Sequence, residues 1–105
     1  MSEWRRYEIL LPRRFNDGQP VPNAVISEAL RELEQQFSAV SWETQLIQGA
    51  WQHEGRRYRD ELFRVFVDVA DRPENRKFFR QFKERLKAEF RQRDIWVTTY
   101  PIEAL

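Results

Sequence analysis

The chain has 105 residues, and its 18 basic and 17 acidic side chains leave a formal net charge of +1, which gives no reason to expect a polyanionic partner. Hydrophobic residues make up 41% and aromatic residues 14%, so the chain is too apolar to be disordered and long enough for one core. It contains no cysteine, which excludes disulfides, thiolate nucleophiles and cysteine-ligated metal centres. No apolar stretch is long enough for a signal peptide or a membrane helix, so we expect one cytoplasmic domain over residues 1–105 without membrane contact.

The first part of the chain contains a short strand, a loop rich in turn residues and a helix. "YEILL" at 7–11 predicts a strand stopped by Pro12, and the loop that follows bends most sharply at 16–18. Between residues 23 and 37 the apolar side chains recur at helical spacing. This stretch therefore predicts an amphipathic helix with the apolar residues Ile26, Ala29, Leu30, Leu33 and Phe37.

Residues 41–51 and 57–69 predict two long strands joined as a hairpin, because apolar residues alternate along the second of them. We place the turn at Glu54-Gly55. The resulting register pairs residues of like character, among them His53 with Arg56, Trp51 with Tyr58, Ile47 with Leu62, and Trp42 with Val67. A slip of one residue would mix the two faces of the hairpin, which supports this register.

The last part of the chain contains a second helix and a final strand. The helix spans about 72–91, where Asp71 and Glu74 have the spacing of a capping box and Pro73 lies in the first turn. Its apolar stripe consists of Phe79, Phe82, Leu86 and Phe90. "DIWVTTY" at 94–100 predicts a strand that Pro101 stops.

The order β-α-β-β-α-β predicts an α+β fold, the ferredoxin-like sandwich. Its four-stranded antiparallel sheet has the spatial order 4-1-3-2, because right-handed crossovers favour that topology. Both helices then pack on one face of the sheet, and the other face has nothing in this chain to cover it.

The uncovered face of the sheet is the first place where a function could lie. Apolar patches of more than a few hundred Å² are rare on monomers and usually mark a contact with a partner. We therefore expect self-association through a sheet face that carries Leu10, Ile47, Leu62, Phe66, Trp96 and Tyr100. The alternative is that long Arg and Glu side chains cover the aromatic rings. RNA stacking is disfavoured, because the third strand lacks the basic-Gly-aromatic motif of RNA-recognition domains and the face is acidic.

The second place is the end of the sheet that the hairpin tip reaches. Arginine forks suit phosphate and carboxylate groups, so this end is a candidate site for a small anionic ligand. Its members are Arg13, Arg14, His53, Arg56, Arg57, Arg91 and Arg93. The alternative is a set of solvated loop arginines. His53 is the only histidine, and the tip of a two-stranded ribbon offers it neither a pocket nor a third orienting group, so we interpret it as a turn residue.

The second helix is strongly basic, with nine Arg or Lys against three Glu between residues 72 and 93. A solvated outer face is the simplest interpretation, partly neutralised by a Glu84–Lys87 pair at i,i+3. The alternative is contact with an acidic partner or a nucleic-acid backbone, which would be sensitive to salt.

Three segments, "YEILLPRRFNDGQPV", "ETQLIQGAWQHEG-RRYRDEL" and "DIWVTTYPIE", together resemble a family of small, single-domain bacterial proteins of unknown function. More distantly, the topology is similar to dimeric α+β barrel proteins, which include small monooxygenases and haem-handling enzymes. That similarity implies two sheets packed face to face and a ligand between sheet and helices. This chain departs from it in having no candidate haem-ligating histidine in a helix or core strand.

We therefore expect a non-catalytic binding or interaction module that forms a homo-oligomer through its open sheet face, with a dimer favoured. We expect no catalytic residue, no cofactor and no metal. The alternatives are a cofactor-independent enzyme of the dimeric-barrel type and nucleic-acid binding through the basic second helix, which the sequence favours less. A ligand cavity between helices and sheet would favour the enzyme.

Overall fold

The computed structural model describes residues 3–105. Within these residues the elements follow one another as β1 (Trp4–Pro12), α1 (Asn23–Phe37), β2 (Ser41–Trp42), β3 (Ile47–His53), β4 (Arg56–Ala70), α2 (Pro73–Glu89) and β5 (Val97–Ile102). The predicted α+β class, with two helices and an antiparallel sheet, is confirmed. No helix in residues 3–105 is long and apolar enough to cross a membrane.

The sheet has five strands in the order β2-β4-β1-β5, and β3 also pairs with β4. Every pairing is antiparallel. The predicted four-stranded sheet with the order 4-1-3-2 is therefore wrong, because the stretch predicted as one second strand, 41–51, forms two strands. Both of them pair with the long strand β4.

The break between β2 and β3 is an insertion of two residues. Trp42 pairs with Val65 and Ile47 with Leu62, so one strand advances by five residues while β4 advances by three. A two-residue insertion preserves the alternation of faces, since side chains in a strand repeat every two residues. The predicted pairing at Ile47 is thus confirmed, whereas the predicted pairing of Trp42 with Val67 is wrong.

The turn of the β3–β4 hairpin lies at the predicted position. Glu54 and Gly55 have φ angles of 50° and 75°, and His53 pairs with Arg56. Two consecutive residues with positive φ are the signature of a type I′ turn, whose twist matches that of the flanking strands.

Helix α2 begins one residue later than a capping box at Asp71 requires. Arg72 is the N-cap in an extended conformation and makes no side-chain cap bond. The Asp71 carboxylate instead accepts a hydrogen bond of 3.1 Å from Arg5 Nε, so the predicted capping box is wrong. The helix ends because Arg91 is left-handed, with φ 53°, and the Gln92 N–H bonds back to the Lys87 carbonyl at 2.9 Å.

Strand β5 continues through Pro101, which the sequence predicts as its stop. The Leu10 N–H donates to the Trp96 carbonyl at 3.0 Å, so even-numbered residues of this segment form the hydrogen bonds to β1. Pro101 then turns its nitrogen towards the free edge of the sheet, where the missing N–H removes no pairing bond.

The core lies between the helices and the odd-numbered residues of β1 and β4. From the sheet come Tyr7, Ile9, Leu11, Val65, Val67 and Val69, and from the helices Ala29, Leu33, Phe79, Phe82 and Leu86. Tyr7 stacks on Phe79 with ring centroids 4.0 Å apart, and Phe37 stacks on the same ring at 5.2 Å. Aromatic rings thus fill the space between helices and sheet, each buried large side chain stabilising the fold by roughly 1.5–3 kcal/mol.

Candidate functional site

The sheet face opposite the helices is called here the open face. Alternation in the observed registers assigns to it the even-numbered residues of β1 and β4 and the odd-numbered residues of β3. All six residues predicted for a contact surface lie on it: Leu10, Ile47, Leu62, Phe66, Trp96 and Tyr100. Trp96 lies immediately before β5, and its side chain is 63% exposed.

Half of the open face is a band of paired charges. Arg6 donates two hydrogen bonds to the Asp68 carboxylate, of 2.7 and 3.0 Å, and its guanidinium lies 4.5 Å from the centre of the Phe66 ring. The bond to Asp68 raises the pKa of the Arg6 guanidinium above its ordinary value. The predicted alternative, that long polar side chains cover the aromatic rings, therefore applies to Phe66.

A second charged group in this band joins β4, β5 and the break after β2. Arg64 donates to Glu43, and this hydrogen bond raises the pKa of the Arg64 guanidinium. The Arg64 Nη1 lies 3.7 Å from Glu8 Oε1, which accepts a hydrogen bond of 2.8 Å from the Tyr100 hydroxyl. The cations and anions of the band thus satisfy one another.

The other half of the open face is an apolar cleft of about 320 Å³. Its lining includes three of the predicted contact residues, Leu10, Leu62 and Trp96, together with Pro12, Trp51 and Ile95. Ile47 lies beside Leu62 in the register. The predicted surface is therefore not uniform, since its apolar residues converge at the hairpin end while Phe66 and Tyr100 belong to the charged band.

The outer wall of the apolar cleft is held by contacts within the hairpin. Trp51 stacks on Tyr58 across the strands, with ring centroids 4.2 Å apart. Its indole N–H donates to the Asp60 carboxylate at 2.6 Å. The register predicts the Trp51–Tyr58 pair, but not the role of Asp60, because an indole–carboxylate bond on one strand face has no distinctive sequence pattern.

The structure does not bring the seven residues predicted as an anion site into one place. Arg14 and Arg57 line a pocket of about 250 Å³, which Arg56 also borders. The Arg56 guanidinium lies 5.2 Å from the centre of the Tyr58 ring, on the open-face side of the hairpin. Arg93 lines the apolar cleft instead, Arg91 lies over Phe15 at 4.6 Å, and Arg13 uses its backbone N–H to bond the Glu61 carbonyl.

His53 lies at the end of β3, next to the turn. Its Nε2 is 3.6 Å from Glu54 Oε1, beyond hydrogen-bond distance, and has no other hydrogen-bond partner within residues 3–105. No group of three His, Asp or Glu side chains in the same residues is arranged to hold a metal ion.

Helix α2 has part of its positive charge neutralised. Lys87 pairs with Glu84 at 2.9 Å, as the i,i+3 spacing predicts, and Lys83 pairs with Asp94 at 3.1 Å. Arg85 pairs with Glu32 of α1. Four cations form no ion pair within the described residues, the N-cap Arg72 and, in the helix itself, Arg76, Lys77 and Arg80.

Comparison with known proteins shows the fold. No protein-family model and no curated protein matches this chain. A phage SAM lyase in complex with S-methyl-5′-thioadenosine superposes with a TM-score of 0.72 at 10% identity, covering 96% of this chain and 83% of the lyase chain. The divalent cation tolerance protein CutA1 from Thermus thermophilus has a TM-score of 0.62 at 16% identity, covering 96% and 85%. The GlnK–ATP complex of B. subtilis has a TM-score of 0.55 at 16% identity, covering 97% and 84%.

The superpositions support the ferredoxin-like fold. Sequence identities this low carry no activity over to this chain. The predicted membership of a bacterial family remains a prediction.

Proposed function

We propose that this protein is a non-catalytic binding module whose open face packs against a second copy of the same chain. The observation that carries the proposal is the apolar cleft beside the exposed Trp96. A cleft of about 320 Å³ is large enough to admit an aromatic side chain from a facing surface. A symmetric pair needs one self-complementary patch, and this face has both a cavity and an exposed aromatic side chain next to it.

The charges of the open face favour a second copy over an acidic or basic partner. Arg6 is paired with Asp68 and Arg64 with Glu43, and the remaining carboxylate, Glu8, lies beside Arg64 and accepts a hydrogen bond from Tyr100, so no charge of the band is left without a partner. Two such faces can approach each other without strong repulsion, since the charge-assisted bonds within each face remain intact. Burial of the cleft and of Trp96 then supplies the favourable free energy of association.

The enzyme alternative has less support from the packing. An enzyme of the dimeric-barrel type would hold its ligand between helices and sheet, and in this chain the stacked rings of Tyr7, Phe37 and Phe79 occupy that space. The apolar cleft lies on the opposite side of the sheet.

A pair of matched tryptophan variants tests this proposal. Trp96→Asp places a carboxylate at the proposed contact, whereas Trp42→Asp does the same at a tryptophan that is 50% exposed on the helix side of the sheet. We expect sedimentation to show that Trp96→Asp weakens the assembly by at least about a hundredfold, or ~3 kcal/mol, and that Trp42→Asp leaves it intact. Equal effects of the two substitutions would contradict the proposed face.

A further inference from the structure

A cluster of arginines on the helix side of the hairpin has no role in the proposed self-association. Arg57 and Arg59 alternate in phase with Val65 and Val67, so they project to the opposite side from the open face. Their neighbours across the strands are Gln52 and Ala50, which carry no charge.

The loop between β1 and α1 begins beside the β4 edge of the hairpin and has a defined backbone. The Arg13 N–H bonds the Glu61 carbonyl at 2.9 Å, and the Val21 N–H bonds the Arg13 carbonyl at 2.9 Å. Between these points the Phe15 N–H bonds the Gln19 carbonyl at 2.8 Å. Arg14 donates from Nη1 to the Gly18 carbonyl at 3.2 Å, which orients its side chain within the loop.

The loop and the hairpin together form the pocket of about 250 Å³ that Arg14, Arg57 and Arg59 line. The Arg14 Nε lies 3.6 Å from the Glu61 carboxylate, and no ion pair forms to Arg57 or Arg59 within residues 3–105. The lining as a whole contains four arginines, at 14, 56, 57 and 59, against two carboxylates, Asp60 and Glu61, so positive charge is in excess. Like charges around one pocket repel one another, so an anion in the pocket would relieve an unfavourable arrangement.

We propose that this pocket binds the phosphate group of a small metabolite. Arginine forks match the oxygens of a phosphate group in a bidentate manner, and three of them supply more donors than a single carboxylate needs. The lining also contains the Glu61 carboxylate, whose charge disfavours the continuous backbone of a nucleic acid. The pocket shares only Asp60 with the lining of the apolar cleft, so phosphate binding does not require self-association through that cleft.

Titration of the full chain with inorganic pyrophosphate, followed by amide NMR shifts, tests this assignment. We expect saturable shifts in residues 14–19 and 57–61, and at least about tenfold weaker binding in an Arg57→Gln, Arg59→Gln variant. The matched control removes two positive charges from α2, as Arg76→Gln with Lys77→Gln, and should bind like the unmodified chain.

Three results would overturn the phosphate assignment: shifts that do not saturate, equal weakening in the control variant, or tighter binding of a single-stranded oligonucleotide than of pyrophosphate to the same arginines. The amide spectrum of each variant also reports its folding. Light scattering on each sample also gives its mass. Loss of phosphate binding is thereby distinguished from loss of the assembly.

Discussion

The two residues at the tip of the β3–β4 hairpin contribute unequally to its stability. Glu54 has a φ of 50°, a left-handed conformation that costs a residue with a Cβ about 1–2 kcal/mol, whereas Gly55 adopts its φ of 75° without that cost. We expect Glu54→Asn to stabilise the fold by ~0.5–1 kcal/mol and Gly55→Ala to destabilise it by ~1–2 kcal/mol, as measured by urea unfolding. A loss of stability in both variants would contradict the type I′ turn.

Phenylalanines on the two sides of the sheet should differ in their contribution to stability. Phe82 is 1% exposed in the core, so Phe82→Ala leaves a cavity and should lower the free energy of unfolding by about 3–5 kcal/mol. Phe66 lies on the open face beneath the Arg6 guanidinium and remains partly exposed. In a urea titration at low protein concentration, Phe66→Ala should cost markedly less, and a loss equal to that of Phe82→Ala would be contrary to our assignment of faces.

Individual site residues could be predicted where strand alternation decides which way a side chain points. Leu10, Leu62 and Trp96 follow from alternation alone. That Arg14 and Arg59 line the same pocket does not follow from alternation, since it depends on how the loop between β1 and α1 folds back onto the hairpin. The loop sequence contains turn residues that fit several conformations, so its course could not be predicted from the sequence.

At the scale of elements, the break between β2 and β3 has a measurable consequence. The Glu43 N–H still bonds the Arg64 carbonyl at 2.9 Å, but residues 44–46 lie outside both strands. We expect the amides of 44–46 to exchange with solvent much faster than that of Glu43 in hydrogen-exchange NMR. Equal protection across 41–53 would instead support the single long strand that the sequence predicts.

The elements that could be predicted are those whose pattern reflects one buried face. Helix α1 begins and ends at the predicted residues. It could be recognised because its apolar residues recur at helical spacing and face the core on one side only. Strand β5 extends to Ile102, past the predicted stop at Pro101, because it lies at an edge of the sheet where a proline removes no bond. Whether a strand lies at an edge depends on the assembled sheet, so it could not be predicted from the local sequence.

On the scale of the whole molecule, the chain presents two surfaces of different chemistry. The open face combines charges that pair within the face with an apolar cleft, and the pocket between the hairpin and the loop after β1 presents an excess of arginines. The overall net charge of +1 hides this difference, since the acidic and basic residues balance over the sequence but not within each surface.

The most direct test of the central claim is the absolute mass of the unmodified protein, measured by light scattering on a sizing column with the ultraviolet spectrum recorded. Self-association through the open face predicts at least twice the chain mass of 12.9 kDa, without nucleic-acid absorbance. A particle of one chain mass at micromolar concentration would contradict the claim and leave the open face available to a different partner.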